Sequence, residues 1–249
     1  MSTLIDLKRE YFNCLDRQAN HIASKLADGK LVTKLLMRHI STIYESAKLE
    51  KTFENPSTFE TAYHQPITSD LEFLVSRIIV NYSKKNNLDW KIYLRKQKKN
   101  CNTNKYVVPD IRIENNGRLL CIIEIKAKGS WMQPFFKKSN NDKDPNIIEA
   151  KKQLMKYSNF ENCGKENIYL LLPTLTSISK KKGTEDASYH RKAFAENSGL
   201  NAKNLILLSN NVFLDLSNPS KDDFDETTDF EEFIKVITKK SLKKDNLRK

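Results

Sequence analysis

Between residues 107 and 126 the chain reads Val-Val-Pro-Asp-Ile-Arg-Ile-Glu-Asn-Asn-Gly-Arg-Leu-Leu-Cys-Ile-Ile-Glu-Ile-Lys. Pro109-Asp110 is followed, after thirteen residues, by Glu124-Ile125-Lys126. These acids and this lysine, set in apolar strand-like runs, suit one kind of chemistry. A hard divalent cation such as Mg²⁺ takes oxygen ligands and keeps several waters, so two carboxylates and a phosphate oxygen form a natural set. Such a cation polarises a phosphate and lowers the pKa of a bound water. A nearby lysine can orient or help deprotonate that water and balance the charge of the transition state. Metal-assisted hydrolysis of a phosphodiester needs this trio. The plain alternative is a surface hairpin with an ordinary Glu-x-Lys pair, but Ile122, Ile123 and Ile125 make the strand too apolar for a wholly solvated face.

Glu124 and Lys126 lie two apart on a strand and therefore share a face. Whether Asp110 joins them depends on the turn. A two-residue loop at Asn116-Gly117 pairs Asp110 with Ile123 and turns it to the wrong face. A three-residue loop, Asn115-Asn116-Gly117, pairs Glu114 with Arg118 and Asp110 with Ile122. Asp110, Ile122, Glu124 and Lys126 then share one face. That loop wants glycine in its third, left-handed position, where Gly117 stands. The local sequence thus favours the three-residue loop, and a bulged strand would reach the same alignment by another route.

The motif resembles the PD-(D/E)xK signature of restriction-endonuclease-like nucleases. The resemblance covers about residues 69–173, as helix, strand, Asp strand, Glu-x-Lys strand, helix and strand. It implies an α/β fold, a restriction-endonuclease-like core with a central mixed β-sheet flanked by helices. It also implies Mg²⁺, with Mn²⁺ able to substitute, held at Asp110, Glu124 and Ile125, with Lys126 as the third catalytic residue. The family often carries a glutamate on the helix before the motif strands, which makes Glu72 a further catalytic candidate. Glu72 can equally be a first-turn glutamate favoured by the helix dipole. Gln153 and Tyr157 resemble the Gln-x-x-x-Tyr of the exonuclease branch, and a spacing of four puts both on one helix face. Gln153 is a possible supporting residue, while Tyr157 reads as ordinary helix packing.

Within that superfamily a stand-alone basic chain looks most like a type II restriction endonuclease. The expected partner is double-stranded DNA, and the expected active unit is a homodimer that offers one site to each strand. Two alternatives stay open. One is another nuclease of the superfamily, acting in repair or recombination, in a phage, or on RNA. Its cap-snatching type has a histidine on the helix before the motif and a displaced lysine, whereas here His64 falls in a predicted loop and Lys126 sits directly in the motif. The other is a DNA-binding module with a vestigial site, against which the intact trio counts.

Charge agrees with a polyanionic partner. Forty-three Lys and Arg against 31 Asp and Glu give a net charge of +12, and basic side chains neutralise phosphates and release counterions. Compositional bias toward Lys, Asn and Ile is the bland explanation of the lysine count. Lys91, Arg95, Lys96, Lys98, Lys99 and Lys105 precede the motif. Lys128, Lys137 and Lys138 follow it, with Trp131, Phe135 and Phe136 interleaved. Such a loop could track a phosphate backbone, or its aromatics could be core anchors. Lys180–Lys182 and His190-Arg191-Lys192 are further possible contacts on charge alone. The four cysteines are widely spaced, with no zinc pattern, and fit a reduced compartment, the cytoplasm. No secretory h-region and no 18-residue apolar run is seen, so no membrane is expected.

Hydrophobic spacing supplies the elements that must hold these residues. An N-terminal helical segment spans residues 1–50, with helices over 3–28 and to about Leu49. Leu31, Leu35, Ile40 and Ile43 are read as facing inward on the second. The nuclease core spans 51–215. A loop over 51–67 leads to a helix from Thr68 or Ser69 to Lys84, with Leu71, Leu74, Val75, Ile78, Ile79 and Tyr82 inward. A strand over 88–96, the two motif strands, a helix over 147–158, a strand over 168–173, a helix over 186–198 and a strand over 205–208 follow. Residues 216–249 form an acidic-then-basic helix or tail, and one compact domain is expected overall. Seven acids over 222–232 and seven Lys or Arg over 235–249 suit a helix with its macrodipole complemented at both ends, or a DNA-contacting tail.

Overall fold

Apolar runs in the middle of the chain make a five-stranded sheet. The computed structural model describes residues 4–53, 67–99, 106–127, 135–136, 145–158, 163–175, 187–211 and 224–245. The strands are β1 (Trp90–Leu94), β4 (Ile111–Asn115), β5 (Arg118–Ile125), β6 (Ile168–Leu172) and β7 (Leu205–Leu207). A separate two-stranded ribbon pairs β2 (Lys98–Lys99) with β3 (Tyr106–Val107). β1, β4 and β5 are antiparallel neighbours, whereas β5, β6 and β7 run parallel. Parallel strands need crossovers, and helices α4 (Pro145–Met155) and α5 (Ala187–Ser198) provide them. The chain is therefore α/β with a mixed sheet flanked by helices, as its alternating elements predict.

Each face of the sheet has its own core. On one face α1 (Leu4–Ala27), α2 (Thr33–Phe53), α3 (Ile67–Lys85) and α6 (Asp229–Asp245) cover Ile111, Ile113, Cys121, Ile123 and Ile125. On the other α4 and α5 cover Leu119, Ile122, Ile168, Leu170 and Leu172. β6 is apolar throughout and wholly buried, as a strand covered on both faces should be. The six apolar positions expected inward on α3 are all buried.

Some expectations change. α2 runs to Phe53, into the expected loop. Leu31 is 72% exposed because the helix begins only at Thr33, with Val32 taking the buried place. Ile148 is likewise exposed, because Ile147, Ala150 and Leu154 form the buried stripe of α4. Phe135 and Phe136 are buried against Phe194 and are core anchors of their loop. Trp131 and His64 lie outside the described residues.

α6 begins with Asp229, Glu231 and Glu232 in its first turn, so the acid-first helix forms. Its acids also act at long range. Glu231 is buried and accepts hydrogen bonds from the backbone N–H groups of Val32 (2.6 Å) and Thr33 (2.8 Å) and from the Thr33 hydroxyl (2.7 Å). It thereby satisfies the otherwise unpaired amides at the start of α2.

Candidate active site

The motif hairpin turns at two residues. Asn115 pairs with Arg118, and Asn116 and Gly117 both have positive φ, at 49° and 75°. That is the geometry Asn-Gly favours between twisted strands, so the three-residue loop is not formed. Taken alone, this turn would place Asp110 opposite Ile123. A β-bulge corrects the register. Glu114 pairs with Leu119 but Ile113 pairs with Cys121, which leaves Leu120 as the extra residue. Leu119 packs into one core while Leu120 and Cys121 both pack into the other. Beyond the bulge Ile111 pairs with Ile123, so the next position, Asp110, falls opposite Glu124.

Asp110 and Glu124 meet at the end of the sheet where β5 stops and β4 starts. Asp110 Oδ2 accepts a 2.7 Å hydrogen bond from the backbone N–H of Ile125. Glu124 is buried, and Lys126 Nζ donates to its Oε1 at 2.7 Å. The other carboxylate oxygen accepts a hydrogen bond from the Tyr157 hydroxyl. Tyr157 lies in the turn just after α4 and is fully buried. It does more than pack, contrary to the sequence reading, because its hydroxyl fixes the carboxylate of the motif glutamate. Burial, then Glu124, pushes the Tyr157 hydroxyl far above its ordinary range, so it stays a proton donor. Gln153, one turn earlier, is half-buried.

The two motif acids carry more negative charge than their neighbours cancel. Burial raises the pKa of Asp110 to about 7, with Glu124 and Glu72 adding to the rise, while the Ile125 N–H and Lys126 oppose it. Glu72 is 1% exposed on α3, which is far more buried than a first-turn glutamate serving only the helix dipole. Its carboxylate is gripped by Arg95, through Nε and through a 2.8 Å bond from Nη2 to Oε1. Glu72 therefore faces the site across an arginine.

Among the described residues no group of three or more His, Cys, Asp or Glu side chains is placed to hold a metal ion. The geometry has a simple reason, since Glu72 is turned to Arg95. Mg²⁺ does not require a third side chain, because it usually binds one or two carboxylates and completes its shell with water and substrate phosphate. A buried Asp110 pushed to about 7 beside a second carboxylate is relieved by a proton or by a cation. Asp110 and Glu124 fit such a cation as carboxylate donors; the Ile125 carbonyl is a ligand only as the family resemblance implies.

The basic residues divide. Lys96 and Lys99 are exposed, and the Lys96 ammonium lies 4.9 Å from the centre of the Tyr93 ring. Lys98 belongs to β2. Lys105, Lys128, Lys137, Lys138 and Lys180–Lys182 lie outside the described residues. His190 and Arg191 are not free contacts. His190 is buried with Nδ1 3.2 Å from the Phe136 carbonyl, and Arg191 pairs with Asp229 at 2.7 Å. Lys240 also turns inward, to Asn167 Oδ1 at 2.9 Å. Charge counting cannot separate such residues from solvent-facing ones.

Sequence reasoning left Arg95 among the general basic flank and missed the Tyr44 hydroxyl, which donates to the Ala127 carbonyl just past Lys126. Neither lies within a motif, and only the register of β1 against β4 would have singled out Arg95. Comparison with family models, curated proteins and solved structures gave no match. Among the described residues no helix is long and apolar enough to cross a membrane.

Proposed function

We propose that this chain is a metal-dependent nuclease that hydrolyses phosphodiester bonds in DNA, in the manner of a type II restriction endonuclease. One observation carries the reading: Asp110, just before β4, accepts from the Ile125 N–H beside Glu124, and Lys126 Nζ lies 2.7 Å from Glu124. Mg²⁺ or Mn²⁺ held by Asp110, Glu124 and the Ile125 carbonyl would supply Lewis acidity at the phosphate and a more acidic water. The chain's own groups do the rest. The Ile125 N–H holds one oxygen of Asp110. Tyr157 and Lys126 hold the two oxygens of Glu124 and keep it from swinging away. The Lys126 ammonium stands where it can orient the attacking water and offset the charge that develops on the phosphate. Lys96 and Lys99, which follow β1 in the chain and are exposed, would position the backbone of the substrate, a role expected of Lys98 as well from its charge.

The test is incubation with several plasmid and linear DNAs in Mg²⁺, and in EDTA, followed by electrophoresis. Discrete bands in Mg²⁺ alone, lost in Asp110→Ala and Glu124→Ala proteins that remain folded, are expected. Cleavage that persists in EDTA or in the Asp110→Ala variant would overturn the reading. Contact of Tyr157 with Glu124, one turn beyond Gln153, also favours an exonuclease of the same superfamily. Circular DNA separates the two, because an exonuclease leaves it intact.

A further inference from the structure

Arg95 combines features that packing alone does not require. It follows the last residue of β1 and has φ of +46°, a left-handed conformation uncommon outside glycine. Two contacts hold it there. Its backbone N–H donates to the Asp110 carbonyl at 2.9 Å, and its guanidinium grips Glu72 through Nε and Nη2. The β1–β4 register pairs Leu94 with Ile111, so Arg95 falls opposite Asp110 just as Asp110 falls opposite Glu124. Arg95, just past β1, is thus tied to Asp110, just before β4, which in turn accepts from the Ile125 N–H next to Glu124 of β5.

The partners of this arginine are unequal in burial. The Glu72 side chain is 1% exposed, whereas that of Arg95 is 50% exposed. An arginine needed only to neutralise Glu72 would gain by following it inward. Instead one edge of the guanidinium is fixed by the carboxylate, while half of the side chain stays exposed and close enough to Asp110 to feel its charge. Guanidinium groups present several N–H donors in a rigid fork that matches phosphate. Strained backbone of this kind is a recognised sign of a functional position.

We propose that Arg95 is a phosphate-binding residue of this site, aimed by the buried Glu72 so that its outward N–H groups grip the nucleic-acid phosphate lying against Asp110 and Glu124. The proposal rests on the nuclease reading for its substrate class but not for its measurement. Glu72 is then a positioning residue, acting through Arg95.

The experiment measures binding of a fluorescent DNA duplex by anisotropy in EDTA, where cleavage does not intervene, across a range of salt concentrations. Wild type is compared with Arg95→Gln and with the double variant Arg95→Gln/Glu72→Gln. The double variant removes the buried charge that Arg95→Gln alone would leave unpaired, and so keeps the fold, as circular dichroism would verify. Loss of one phosphate contact should make the slope of log affinity against log salt shallower by about 0.9 in both variants. Glu72→Gln alone leaves the arginine charged but without its aim, so it should weaken binding, with a slope between those of wild type and Arg95→Gln; wild-type affinity and slope would overturn the positioning role. A folded double variant with the wild-type slope would overturn the proposal, as would a wild-type protein that binds no DNA. Mg²⁺-dependent cleavage by the wild type is measured in parallel. If it fails while the slope still changes, Arg95 is a phosphate ligand and the nuclease reading alone is lost.

Discussion

Replacement of Asp110 by Asn should stabilise the metal-free protein, and the gain should depend on pH. The Asp110 carboxyl titrates at about 7 in the folded chain, against an ordinary 3.8, chiefly because it is buried and then because Glu124 and Glu72 face it. A raised carboxylate pKa leaves stability intact below the unfolded value and erodes it as pH climbs toward the folded value. Each pKa unit is worth 1.36 kcal/mol, so the cost grows from near zero below about pH 4 to a limit of about 4 kcal/mol above about pH 7. Asparagine keeps an oxygen to accept the Ile125 N–H and cannot ionise. In EDTA the variant should gain about 2–4 kcal/mol on wild type at about pH 8 and little at about pH 4. For a chain of this size 1 kcal/mol moves Tm by roughly 2–4 °C, so the gain is on the order of 5–10 °C. Thermal unfolding followed by circular dichroism at both pH values measures it. Mg²⁺ should raise the Tm of wild type more than that of the variant, which keeps Glu124 but loses the Asp110 carboxylate. An equal Tm difference at the two pH values would refute the electrostatic reasoning.

Other consequences can be checked separately. Tyr157→Phe removes the donor to one oxygen of Glu124, so cleavage should slow at least tenfold, by roughly the 1.4 kcal/mol that a lost hydrogen bond to a charged group can cost; a rate equal to wild type would show the contact to be idle. Glu231→Ala leaves the amides of Val32 and Thr33 without their acceptor and should cost about 2–4 kcal/mol in chemical denaturation, with no change in the metal requirement. DNA affinity of the wild type should fall by roughly three decades between about 50 and 200 mM salt if several phosphate contacts form, and a flat response would mean that the +12 charge is mere composition. Sedimentation with a short palindromic duplex should give two chains per DNA, whereas a strict one-to-one complex would exclude the homodimer.

Much of the architecture is legible because burial leaves a periodic mark. The apolar stripe of α3 and the unbroken apolar runs of β6 and β7 follow directly from which faces must leave water. Asp110, Glu124 and Lys126 are visible for a different reason, since their types stand out against apolar strands. Long-range contacts leave no such mark. Glu231 serves Val32 across 199 positions of sequence, and nothing near either residue announces the pairing. Tyr157 looks like one more buried aromatic until the strand opposite it is known to carry Glu124.

Register is the hardest feature to read, and here it decides the chemistry. The Asn-Gly pair selects a two-residue turn, because its left-handed conformations suit the strand twist. That local preference would send Asp110 to the face away from Glu124. The two cores want something else: Leu119 on one side of the sheet, Leu120 and Cys121 together on the other. Only a bulge satisfies both, and the residue it absorbs brings Asp110 opposite Glu124. The same alignment carries on to β1, where the Arg95 N–H meets the Asp110 carbonyl. A single extra residue at Leu120 thus brings Asp110 level with Glu124, while the pairing of β1 with β4 sets Arg95 beside Asp110. The charges gathered here pair off, Arg95 with Glu72 and Lys126 with Glu124, with Asp110 left over. On the proposed function a cation would compensate that carboxylate, and its protonation should then govern both stability and metal binding.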